Sequence, residues 1–99
     1  MRLTSEEIAI IKRLVAEAYG PRAVVRLFGS QLDDAKKGGD IDLLVEAPET
    51  TARAIRTELR LQRTLEESLG GRKVDLIVHH RGERESAFVR IAKKEGVIL

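Results

Sequence analysis

Cysteine is absent from this 99-residue chain, proline occurs twice, and the aromatic residues are only Tyr19, Phe28 and Phe88. Lack of cysteine excludes a disulfide scaffold, and leaves His79 and His80 as the sole nitrogen ligands for any soft-metal site. Three aromatic rings are too few for a platform that stacks successive bases, so direct nucleic-acid binding of the single-stranded kind is not expected. No apolar run approaches 18 residues and no apolar segment opens the chain, which argues against a membrane span or a Sec signal and makes the cytoplasm the expected compartment. An excess of one charge is missing too. Eighteen basic against 16 acidic side chains give a net charge of +2, too balanced for wholesale binding to nucleic acid or membrane.

What is present suits one soluble globular domain spanning 1–99: 42% apolar and 34% charged residues, with room for a modest core but not for a separate substrate domain. A capping box at Thr4 or Ser5 with Glu6 and Glu7 opens a helix running to about Tyr19, its apolar stripe formed by Ile8, Ile11, Leu14, Val15 and Ala18. Gly20 and Pro21 end it. Residues 22–28 read as a strand, 40–46 as a second and 73–79 as a third. A long helix beginning at Thr50 or Thr51 and ending at Leu69 has Ile55, Leu59, Leu65 and Leu69 as its expected buried side. Arg53, Arg56, Arg60 and Arg63 form a basic row on another side, either a solvated face or a docking surface for an acidic partner or RNA. A last helix over 83–95 carries Phe88, Ile91 and Ala92 inward, and 97–99 forms a short apolar end piece. The order is helix, strand, strand, helix, strand, helix, which gives an α/β (α+β) domain of two layers with a small mixed sheet packed on helices.

Chemistry concentrates between Leu27 and Glu46. Asp40 and Asp42 alternate on the second strand, so both project from one face with α-carbons about 6 to 7 Å apart. Asp75, expected as a buried carboxylate within the apolar third strand, needs a cation or another partner. If the two strands are neighbours, three carboxylates meet, and oxygen ligands of this kind suit Mg2+ or Mn2+ better than zinc. Gly29 lets a phosphate approach the backbone, and Ser30 can donate to its oxygens. Phosphate donors beside a carboxylate metal cluster imply phosphoryl or nucleotidyl transfer. Ser30 as a hydrolase nucleophile is excluded, because the Gly-x-Ser-x-Gly elbow and a histidine base are missing. Arg26 reads either as a charge on an open sheet face or as a cation facing the same cleft; His79 and His80 read as surface residues at a strand end.

Phe28-Gly29-Ser30, a nine-residue spacer, Asp40-Ile41-Asp42-Leu43-Leu44-Val45 and later Val74-Asp75-Leu76-Ile77 resemble the minimal nucleotidyltransferase antitoxins of the DNA polymerase beta-like superfamily. The likeness extends to the leading helix and to the closing Glu95-Gly96-Val97-Ile98-Leu99. It implies that Asp40 and Asp42 hold two Mg2+ (or Mn2+) ions, that Asp75 assists the activating one, and that Gly29 and Ser30 cradle the terminal phosphates of ATP. It also implies a partner, a small helical HEPN-domain toxin, and hence an assembly of like or unlike chains in which AMP passes to a tyrosine hydroxyl of the toxin. Many such proteins continue after Gly-Ser with Arg-Ala-Arg-Gly, whereas this chain has Gln31, Leu32, Asp33 and Asp34, so Lys36 or Lys37 must stand in for the missing cations. Two alternatives stay open: an antitoxin that acts by occlusion, and a transferase for a small molecule, which this chain would have to accept without an added acceptor domain.

Overall fold

The computed structural model describes residues 3–29, 40–49 and 54–99. Its elements are α1 (Ser5–Tyr19), β1 (Val24–Phe28), β2 (Ile41–Ala47), α2 (Ile55–Ser68), β3 (Val74–His80), α3 (Ala87–Glu95) and β4 (Val97–Ile98). The expected helix start at Thr50 or Thr51 is corrected, since Ala54 is extended and α2 begins at Ile55, and the cation at Arg53 lies outside the described residues.

Helix α1 starts where the sequence supplies a reciprocal cap. The Glu7 amide donates to the Thr4 hydroxyl at 3.1 Å, and the Thr4 amide donates to the Glu7 carboxylate at 2.9 Å. Ile11, Leu14, Val15 and Tyr19 are its buried residues. The other Glu7 oxygen accepts from Arg72 at 3.0 Å, which ties the start of α1 to the turn after α2.

Four strands form one mixed sheet in the order β3-β2-β1-β4. β1 pairs antiparallel with β2 and with β4, while β2 and β3 run parallel, joined by α2 as the crossover. Alternation divides the two faces. Ile41, Leu43 and Val45 of β2, Val25 and Leu27 of β1, and Val74 and Val78 of β3 point into the core with α1 and α2. Leu27, Ile41, Leu43 and Leu65 are fully buried there, each contributing about 1.5–3 kcal/mol of hydrophobic stabilisation. On the opposite face a second, smaller core joins Leu44 to Val89 and Ala92 of α3, with Phe28 and Ile77 against it. The expected helices-on-mixed-sheet domain is present, and the end piece is an edge strand.

Three expectations about burial are corrected. Leu61, Leu65 and Leu69 form the inner side of α2, whereas Ile55 and Leu59 are 71% and 59% exposed. Ile55 and Leu59 each stand six positions before Leu61 and Leu65, about 240° round the helix, so they could not share that face. α3 begins at Ala87 because the Ser86 hydroxyl accepts from the Val89 amide at 3.1 Å, and this start turns Val89 and Ala92 inward and Phe88 and Ile91 outward. His79 and His80 are buried, not surface residues. β3 extends to His80, which pairs with Ala47 and meets the Tyr19 ring edge-on at 6.0 Å.

Candidate functional site

Parallel pairing of β2 and β3 aligns Asp42 with Asp75 directly, on the face away from α1 and α2. Burial, then the interaction with the Asp75 carboxyl and the negative charges of Asp75 and Asp40, raise the Asp42 pKa above its ordinary value, opposed by the charge of Lys73. Asp40 stands exposed one residue before β2. Asp75 is the second residue of β3 and its side chain is 47% exposed, so it is not the buried mid-strand acid expected from the sequence. Exposure leaves it reachable from solvent.

Gly29 closes this group from the β1 side. Its φ of +79° is disfavoured for any residue with a β-carbon, and a β-carbon placed there would lie 2.2 Å from Oδ2 of Asp42. Glycine is thus required twice over, by the backbone angle and by the approach of the carboxylate. Phe28, just before it, stands opposite Asp42 in the β1–β2 register. Ser30, Lys36 and Lys37, expected to contact phosphate, lie outside the described residues.

Asp42 and Asp75 offer carboxylate oxygens of the kind that hold a hard divalent cation, and their mutual repulsion is what such a cation would relieve, but the three aspartates do not bring three donor atoms within 4.8 Å of one another. Lys73, whose ammonium is 3.9 Å from Asp75, escaped the sequence reading. Its position two residues before Asp75, on the same side of the chain, was the available signal.

Arg26 shares the sheet face with the aspartates but is neither a free surface charge nor a cation at their cleft. It forms an ion pair with Glu46. Glu46, His79 and Glu85 bring donor atoms within 4.8 Å of one another, the one group of three among the described residues that could hold a metal. The Lys93 ammonium already sits in it, 2.5 Å from Glu85 and 3.3 Å from Glu46. Burial raises the Glu46 pKa, and the bonds to Arg26 and Lys93 more than offset it, so the group stays below its ordinary value. His79 is held by a 3.1 Å hydrogen bond between Nε2 and the Glu83 carbonyl. This cluster carries its own cations and reads as a fastener between α3 and the sheet. Sequence reasoning missed it because Glu46 and Glu85 are far apart in the chain.

Arg56, Arg60 and Arg63 line a groove with Ile55 and Leu59 on α2, on the far side of the sheet from the aspartates. No helix among the described residues is long and apolar enough to cross a membrane. Comparison with known families matches residues 8–99 to the nucleotidyltransferase domain. No curated protein matches the chain.

Proposed function

The chain belongs to the nucleotidyltransferase domain family, which makes it a transferase of nucleotidyl groups, and we propose that it moves AMP from ATP to a tyrosine hydroxyl of a HEPN-domain toxin, thereby acting as its antitoxin. The observation that carries the catalytic half is the cross-strand registered pair Asp42–Asp75, with Asp42 packed against Gly29. The antitoxin half is supported by the motif resemblance over nearly the whole chain.

Asp40, Asp42 and Asp75 are the residues that would hold two divalent ions, Mg2+ or Mn2+. Bound there, such ions would lower the pKa of the acceptor hydroxyl and neutralise the triphosphate. Gly29 leaves room for phosphate at the backbone, with Ser30 and one of Lys36 or Lys37 as further contacts. The acceptor oxygen bonds to the α-phosphorus, the bond from that phosphorus to the bridging oxygen breaks, and pyrophosphate leaves. Asp75 takes the hydroxyl proton, and its exposure lets the proton pass on to solvent.

Incubation with ATP labelled at the α-phosphate, Mg2+ and a HEPN-domain protein encoded by an adjacent gene, where a neighbour encodes one, tests the proposal. Label should appear on the partner and vanish with Asp40→Ala or Asp42→Ala. A second reading, an antitoxin that inhibits by binding alone, is favoured by one observation: Gln31 and Asp33 stand where the resembled antitoxins carry arginines, with a further acid at Asp34. A tight complex without label would establish that reading instead.

A further inference from the structure

Building on the nucleotide-transfer reading, we propose that Phe28 and Phe88 form the nucleobase subsite, with the open face of the Phe88 ring stacking on the base of the bound nucleoside triphosphate. The chain has three aromatic rings, and Tyr19 is buried in the main core. The other two meet each other, with centroids 5.6 Å apart and planes inclined at 73°. That edge-to-face contact fixes the Phe88 ring and leaves it 51% exposed.

Its place in the fold suits a base. Phe28 stands directly opposite Asp42, whose side chain shares its sheet face. Directly opposite β-carbons lie about 5 Å apart, so the Phe88 ring falls roughly 10 Å from the carboxylates. An extended nucleotide spans such a gap between its phosphates and its base. Leu44 and Ile77 pave the adjoining sheet face, so what lies next to the acids in this direction is apolar. The exposure of Phe88 is also built in, since the Ser86 cap and the burial of Val89 and Ala92 fix the rotation of α3. A phenyl ring offers stacking without hydrogen bonds, so the subsite should tolerate ATP and GTP alike and bind both better than a bare polyphosphate.

Calorimetric titration in Mg2+ with ATP and, separately, with inorganic tripolyphosphate tests this on wild type and Phe88→Ala, with thermal melts as a check on folding. Stacking predicts that Phe88→Ala weakens ATP roughly 10-fold or more while tripolyphosphate binding is unchanged. A Phe88→Trp variant, in a chain that has no other tryptophan, should lose fluorescence with ATP but not with tripolyphosphate. The inference is overturned if wild type binds tripolyphosphate as tightly as ATP, or if Phe88→Ala leaves ATP affinity within about twofold. A variant that alters only the oligomeric state would place Phe88, with exposed Ile91, in a protein interface and overturn it likewise. Failure of wild type to bind either ligand would sink the nucleotide-transfer reading itself, and this subsite with it.

Discussion

Replacing Gly29 by alanine asks whether close packing against Asp42 matters to the site. The new methyl would stand 2.2 Å from Oδ2 and 3.1 Å from Cγ of Asp42, so the carboxylate must retreat by about 1.2 Å to reach ordinary contact. Misplacement of a reacting group by about 1 Å can cost on the order of 100-fold in rate, and disturbed support of a metal ligand about 10- to 100-fold in affinity. Stability should suffer less. A non-glycine residue at this positive φ costs about 1–2 kcal/mol, and each kcal/mol lowers the Tm of a domain this size by about 4–8 °C. Gly20→Ala supplies the control, because Gly20 has φ +91° but no atom within 4 Å of the added methyl. Both variants should melt early, while only Gly29→Ala should lose Mn2+ affinity by about tenfold or more in a titration followed by electron paramagnetic resonance. Equal Mn2+ affinity in the two variants would show that Asp42 is not a ligand held in place by that glycine.

Two further outcomes follow from the charges. Asp75→Asn removes one member of a mutually repelling pair, so the metal-free protein should gain about 0.5 kcal/mol, or roughly 2–4 °C, yet lose its stabilisation by added Mg2+ or Mn2+; a lower Tm without metal would contradict this. Glu46→Gln breaks a pair whose side chains are only 15% and 10% exposed and should cost about 1.5–3 kcal/mol at pH 7. Because the folded pKa of Glu46 is depressed, that stability is present above its unfolded value of 4.5 and disappears as pH falls through the lower folded value. Melting curves of the two proteins should therefore converge in acid, and a constant gap down to pH ~3 would refute the linkage.

The parts legible in the sequence are those where one periodicity ruled. The Thr4–Glu7 cap and the α1 stripe follow from local spacing, and the structure shows both, as it shows the alternation along β2 that turns Asp42 away from the core, while Asp40 lies just before that strand. The pairing of Asp42 with Asp75 required a guess that their strands are neighbours. Its register is set by the α2 crossover and by hydrogen bonds such as Ile41 to the Lys73 carbonyl, at 2.9 Å, which no short motif encodes. Where two apolar rows coexist on one helix, as Ile55/Leu59 and Leu61/Leu65 do, composition does not say which row faces the sheet. Phe88 was misread for a related reason: the Ser86 cap, not hydrophobicity, sets the rotation of α3. His79 and His80 look like surface residues until the segment with Glu83 and Glu85 folds across them.

One sheet face carries both acidic groups, and their different company locates the attraction for a cation. Asp42 and Asp75 occupy one row, Leu44 and Ile77 an apolar row, and Glu46 and His79 a third. Four residues of strand separate Asp42 from Glu46 by about 13 Å, beyond the ~8–10 Å over which physiological salt screens exposed charge, so each row must satisfy itself. Glu46 does so with Arg26 and Lys93, and the Lys93 ammonium is bound tightly enough that its pKa rises, Glu85 being the first cause. At the Asp42 row the one cation close to the pair among the described residues is Lys73, 3.9 Å from Asp75 and mostly in solvent. Among the described residues, negative charge is therefore left at the Gly29 end of the face and is cancelled at the other. A divalent ion gains at the first position what at the second it would have to take from Lys93, which is why the row of Asp42 and Asp75, and not the group of Glu46, His79 and Glu85, is the place to look for metal.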